Sequence, residues 1–146
     1  MKKKFKLKIS SATENLEIIR EFIVQIANKG GFDEETSDQI ALAVDEACTN
    51  VIKHAHNYDP RRMIDISVSL DGEKIQISVC DKGKGFDVSK LSTPNLSKYI
   101  HESRKGGLGI HLMKNLMDNV EYNFHSGIKN QVTLTKFLRK NGALSQ

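Results

Sequence analysis

"MIDISVSLDGEKIQISVCDKGKGFD", Met63 to Asp87, decides how this chain is read. Its first part alternates apolar and polar residues, the period of a strand with one buried face. Asp71–Gly72 then separates it from a second alternating run, "KIQISVC". An Asp-Gly pair between two such runs is a hairpin signal. The second strand ends in an acid, Asp81, followed by Gly83 and Gly85 around Lys84. A surface turn needs one or two special residues; a carboxylate at a strand end with side chains removed just after it also suits a ligand approached by backbone. The stretch alone leaves both readings open.

Outward from it, "KFKLKI" (residues 4–9) alternates and reads as an edge strand. "SATENLEIIREFIVQIANKGG" reads as a helix. Ser11 and Glu14 have capping-box spacing, Leu16, Ile19, Phe22, Ile23 and Ile26 share a face, and Gly30–Gly31 end it. "FDEETSDQIALAVDEACTNVIKHAHN" reads as a longer helix capped by Asp33, with a core stripe of Ile40, Val44, Ala47, Val51 and Ile52. Residues 57–62 form a loop with a Pro. Residues 87–107 are loop-like, "LGIHLMKNLMDNV" reads as a third helix, and "VEYNFHS" with "QVTLTKFLR" as a final hairpin across Gly127. The order predicts an α+β fold: a two-layer α/β sandwich whose mixed, mostly antiparallel sheet carries helices on one face.

The 146 residues suffice for one domain, 1–146. Apolar residues make up 38% and charged residues 27%, as in a soluble globular protein. No apolar run is long enough to span a membrane, and the basic N-terminus lacks a signal-peptide core. Cys48 and Cys80 sit in apolar runs and read as structural thiols of a cytoplasmic protein. The histidines and cysteines lack metal-ligand spacing. The net charge of +4 is spread along the chain and fits an anionic ligand or an acidic partner. Without an Arg-rich helix or aromatic-basic interleaving, no direct nucleic-acid binding is expected.

Three constellations could carry chemistry. Glu46, Asn50 and His54, four apart, form a polar column on a helix whose other stripe is apolar. It reads as a solvated face, or as a metal and phosphate face: an Asn carbonyl oxygen suits magnesium, and a Glu one turn away can accept a proton. In "DKGKGFD", Asp81 could accept a hydrogen bond from a ligand amino group while Gly83 and Gly85 admit its backbone. In "RKGGLGIHL", Gly106, Gly107 and Gly109 open a helix, whose free N–H groups suit phosphate, with Arg104 and Lys105 adding charge. This is not the GxxxxGK[ST] loop.

In this order, the three motifs resemble the ATP-binding domain shared by DNA gyrase, the heat-shock chaperone, histidine kinases and MutL, the Bergerat-type fold. "DEACTNVIKHAH" looks like its asparagine box, "DKGKGFD" its DxGxGF box and "GGLGIHLMKNLMD" its GLGL box. The likeness covers roughly residues 10–138. With no sensor or phosphoacceptor segment, the chain is similar to the anti-sigma-factor serine kinases of bacterial stress and sporulation control. The resemblance implies Mg-ATP as cofactor, a sequestered sigma factor, phosphorylation of a serine on an anti-anti-sigma antagonist, and a homodimer. It implies Glu46 as catalytic base, Asn50 as magnesium ligand and Asp81 as adenine contact. Gly83, Gly85, Gly107, Leu108 and Gly109 would shape the pocket, Arg104 and Lys105 would meet phosphate, and residues 87–106 would form an ATP lid. It also places partner contacts in Lys2 to Asn28, where Arg20 is an exposed charge.

Two features depart from the family. A Gly-Thr that supports the adenine site is replaced by "GIKNQVTL", leaving Asn130, Gln131 or Thr133 to take that place. His56 stands where Tyr is common and is given no role. The competing reading is a binding module of the same fold, an ATP-held switch that sequesters a partner without phosphoryl transfer.

Overall fold

The computed structural model describes residues 2–83, 109–125 and 128–139, with residues 109–112 in backbone only. Strand β1 (Lys3–Ser10) leads through a single turn, Thr13–Asn15, into α1 (Leu16–Lys29) and α2 (Glu34–Asn50). The hairpin β2 (Met63–Leu70) and β3 (Lys74–Asp81) follows, then α3 (Gly109–Leu116), β4 (Asn119–His125) and β5 (Lys129–Phe137). The five strands pair in the order β1-β2-β3-β5-β4.

Alternation decides which face is covered. Ile64, Ile66, Val68 and Leu70 of β2 and Ile75, Ile77 and Val79 of β3 are all buried. Val132 and Leu134 of β5 join them. Each such side chain contributes roughly 1.5–3 kcal/mol when fully withdrawn from water. The α1 stripe (Ile19, Ile23, Ile26), the α2 stripe (Ile40, Val44, Ala47) and Val51 and Ile52 just beyond α2 close this layer. Helix α2 lies between α1 and α3. The opposite sheet face is half-exposed and polar. There Gln76 donates to Thr135 (3.1 Å) and Gln131 to Thr133 (3.0 Å) across or along the strands.

The sandwich agrees with the reading of the sequence, and four details differ. Every described strand pair is antiparallel, not mixed. Two helices between β1 and β2 bring the chain back reversed. Strands β3 and β4 run in the same direction, but β5 inserts between them and opposes both. The Asp-Gly hairpin is shifted by one residue. Asp71 closes the turn (its N–H to Lys74 O, 3.1 Å) and its carboxylate accepts from the N–H groups of Glu73 and Lys74, at 2.7 and 3.0 Å. An Asp at the first turn position makes this local bond in place of a left-handed Gly. The third helix stops at Leu116, where Lys136 donates to the Leu116 carbonyl (2.9 Å) and Asp118 pairs with β5 through Thr135 and Phe137. Val120 is consequently in a strand.

The fourth difference is at Ser11. It does not cap α1: no side-chain cap is formed there. Ser11 is fully buried, and its hydroxyl lies 2.8 Å from His56 Nδ1. By contrast, Asp33 caps α2 as expected, accepting from Thr36 N at 2.7 Å.

Candidate functional site

Helix α2 does not end in an ordinary turn. Its chain continues through Val51–Ala55 as a wide turn, closed by a bond from the His56 N–H to the Val51 carbonyl (2.8 Å), five residues back. Such widened turns occur often at functional sites. Glu46 and Asn50 lie in the regular helix, and His54 in the widened turn beyond it. Asn50 is buried, Glu46 half-buried and His54 exposed. Asn57 and Tyr58, with φ of 52° and 61°, then reverse the chain.

Asn50 is 4% exposed, and its Nδ2 has no hydrogen-bond partner among the described residues. A buried orphan amide costs about 1–3 kcal/mol, so it is a group suited to a ligand. Burial pushes the Glu46 carboxyl above the usual carboxylate range; Asp45 adds to this and Lys53 opposes it. Arg20 is not a free charge: it pairs with Asp45 at 2.7 Å, beside Glu46.

Asp81 ends β3 opposite Asn130 of β5. Its Oδ1 accepts from Gly83 N (2.8 Å) and from Asn130 Nδ2 (3.1 Å). His56 Nε2 stands 3.7 Å from the same oxygen. Among the described residues no donor is recorded on Oδ2. With Ser11 at Nδ1, the arrangement that suits the carboxylate has the Ser11 hydroxyl donating to Nδ1 and Nε2–H facing Asp81. Gly83 is required by packing. A Cβ there would come within 2.9 Å of the Ala55 carbonyl and of His56 Cδ2. The loss of a side chain that marked a ligand loop in the sequence thus also lets the loop rest on the end of α2.

One pocket joins the two motifs. Ala47, Asn50, Val51, Val79, Asp81 and Met113 are among the residues lining it. The asparagine of α2 and the acid of β3, 31 positions apart in sequence, share it because α2 packs over β3. Gly109 is placed at the start of α3. Gly85, Arg104, Lys105, Gly107, Leu108 and the expected lid lie outside the described residues.

Sequence reading missed His56 and undervalued Asn130. For Asn130 a signal existed: in "NQVTL" it shares the strand phase of the buried Val132 and Leu134, so a polar residue stands at a core position. For His56 there was none, because its inward turn depends on the widened turn before it.

His56 leads to a testable pH dependence. Burial holds its imidazole below the usual histidine value, more than Asp81 raises it. Between that depressed value and about 6.5, the unfolded chain binds the proton and the folded one does not. Stability therefore rises with pH through this window and is lost on acidification. Thermal melts from pH 7 to pH 5 are expected to show a falling Tm, at about 1.4 kcal/mol per unit of depression. His56→Gln should flatten the slope; an unchanged slope would assign it to other groups.

Known proteins resemble this chain in sequence and in fold. Residues 9–136 fit the family model described as the histidine kinase-like ATPase domain. The serine-protein kinase RsbW of Bacillus subtilis (strain 168) is 31% identical over 136 residues, covering 90% of this chain and 84% of that protein. The serine-protein kinase RsbW of Halalkalibacterium halodurans is 35% identical over 136 residues, covering 90% and 82%. Among solved structures, the RsbU and RsbW domains of Rv1364c from Mycobacterium tuberculosis superpose with a TM-score of 0.64 at 16% identity, covering 92% of this chain and 32% of that one. The SiaB–SiaC complex from Pseudomonas aeruginosa gives 0.62 at 12% identity, covering 92% and 88%. These two likenesses concern the fold. With the family model spanning most of its length, the chain belongs to the histidine kinase-like ATPase domain family.

Proposed function

We propose that the protein is an ATP-dependent protein-serine kinase that also acts as an anti-sigma factor. It sequesters a sigma factor and phosphorylates a serine of an anti-anti-sigma antagonist. The observation that carries the reading is the shared pocket of Asn50 and Asp81, beside a Glu46 whose carboxyl is held above its usual range. Relatives about 30% identical over most of the chain are named serine-protein kinases.

The residues fit Mg-ATP. Asp81 has one carboxylate oxygen held by the protein and the other available to an amino group. Asn50 brings an oxygen ligand of the hard type magnesium prefers, in a buried setting. Among the described residues no group of three or more His, Cys, Asp or Glu could hold a metal. A magnesium carried mainly by phosphate and water needs no such group. When bound, Mg-ATP supplies the phosphoryl group and the charge that neutralises its transfer. This chain's part is to grip the base through Asp81, to set Asn50 toward the metal, and to take the serine hydroxyl proton at a Glu46 carboxylate oxygen. By the family resemblance, Gly83, Gly85, Gly107, Leu108 and Gly109 shape the pocket. Arg104 and Lys105 meet phosphate, and residues 87–106 serve as lid.

The same reading makes 1–146 one domain, a cytoplasmic homodimer that binds no nucleic acid directly. Among the described residues no helix is long and apolar enough to cross a membrane. Arg20, although paired with Asp45, is 43% exposed at its side chain and stays within reach of an acidic partner.

The test is label transfer. The protein, magnesium and γ-labelled ATP are incubated with small antagonist candidates from the same genome. Label on an antagonist serine supports the kinase. Tight ATP binding with no label on any candidate supports the binding-module reading instead. Asn50→Ala is expected to weaken ATP binding roughly tenfold in magnesium and far less in EDTA. Equal affinities for the variant and the native protein would remove Asn50 from the metal site.

A further inference from the structure

Strand alternation gathers charge on the sheet face that the helices leave uncovered. Lys4, Lys6 and Lys8 take its outward positions on β1, Lys74 on β3 and Lys129 on β5, and Lys82 follows just beyond β3. Against these six lysines the same face sets two acids, Asp65 of β2 and Glu121 of β4. That surplus of four equals the formal net charge of the whole chain, +4, so the charged residues elsewhere cancel. A charge spread along the sequence is thus brought to one surface by the fold. Lys6, Lys8, Lys82 and Lys129 are exposed and border a depression of about 590 Å³, with Asp65 and the half-exposed Cys80 between them. Asp81 also borders it, but is 3% exposed, and its Oδ1 is taken by Gly83 and Asn130. A second hollow of about 210 Å³ shares Lys6 and Ser67 with the first and extends it past Lys4, Gln76 and Ser78.

We infer that this basin is a docking surface for an acidic polypeptide segment, on the side of the sheet away from the helices and the nucleotide pocket. Lysine heads at its rim meet Asp and Glu side chains. Ser and Gln side chains in the hollows can both donate to and accept from the segment's backbone. Such a contact is steered by charge and weakens with salt. Other occupants fit less well. A second copy laid on this face by two-fold symmetry would set two surfaces of the same sign together. Single-stranded nucleic acid needs aromatic platforms, and among the described residues Phe137, at the end of β5, is the one Phe or Tyr at an outward strand position. An anionic membrane is held by cations together with inserted apolar side chains, and here the exposed Met63 and Phe137 stand at opposite ends of the face.

The test uses the full chain and a fluorescein-labelled poly-glutamate peptide, with a DNA oligonucleotide and phosphatidylserine vesicles as rival probes. Anisotropy at about 20 mM and about 150 mM salt is expected to show peptide binding that weakens as salt rises. Lys6→Glu, Lys8→Glu and Lys129→Glu should each lower the affinity about fivefold or more, whereas Lys29→Glu, the same charge change at the end of α1, should alter it by less than about twofold. Saturating peptide should slow alkylation of Cys80 several-fold; Cys48 is fully buried and does not compete. Circular dichroism checks the fold. Should reversal at Lys8, which stands opposite Asp65, unfold the chain, Lys6, opposite Ser67, and Lys129 carry the comparison. No binding of the peptide at low salt would overturn the inference. Equal losses at Lys29 and at the basin, or alkylation of Cys80 untouched by the peptide, would reduce the binding to net charge and overturn it as well. DNA or vesicles bound more tightly than the peptide, through the same lysines, would overturn the choice of an acidic polypeptide.

Discussion

Glu46→Gln will leave nucleotide affinity within about twofold and lower serine phosphorylation by at least about a hundredfold, the usual scale for a general base. The substitution keeps shape and removes the proton acceptor. Glu46 is half-buried, so its neutral replacement costs little in packing and relieves a desolvated charge. The pH profile adds a second signature. Burial and Asp45 hold the carboxyl above its ordinary value, Lys53 working the other way. Below that raised value Glu46 is protonated and cannot take a proton. The transfer rate of the native protein should therefore fall as pH drops through it, and the residual rate of the variant should lack that limb. The measurement is single-turnover label transfer across pH 5–8, with affinity measured separately. A variant that keeps more than about a tenth of the native rate would take the base role away from Glu46.

Asp81→Asn is expected to cost about a hundredfold in ATP affinity, with only a small change in Tm. The small stability effect follows from the clamp. Gly83 N and Asn130 Nδ2 both donate to Oδ1, and an amide oxygen in that position can accept from both. The large binding effect follows from the other side of the group. Where the acid presents an acceptor, the amide presents an N–H donor, and two donors then face each other across the adenine edge. Discrimination between ATP and GTP should shrink accordingly. Isothermal titration with both nucleotides, before and after the change, decides it; equal discrimination in the two proteins would sink the assignment of Asp81 to the base. A large drop in Tm would show instead that the carboxylate charge, facing His56 Nε2 at 3.7 Å, is part of the fold's support.

Much of this was readable without coordinates, because it depends on short-range periodicity. Alternation in "MIDISVSL" and "KIQISVC" set two strands and their buried faces, and the apolar stripes of residues 16–26 and 40–52 set two helices. The nucleotide was implied by resemblance: "DEACTN", "DKGKGFD" and "GGLG", in that order, look like the boxes of a known ATP-binding family, whereas each motif alone left a structural reading open. Three things depended on contacts between distant residues. The first is the strand order, where β5 slots between β3 and β4 and makes the sheet antiparallel throughout the described pairs. The second is the widened turn after Asn50, which sends His54 outward and His56 inward. The third is the Ser11–His56–Asp81–Asn130 group, drawn from the residue after β1, the residue after the widened turn, β3 and β5. A capping signal at Ser11 was overridden there by a buried bond to His56. Local periodicity records which face of an element is apolar. Which polar side chains meet behind that face is decided when the layers pack, because a buried donor or acceptor takes whatever partner the tertiary structure brings within reach.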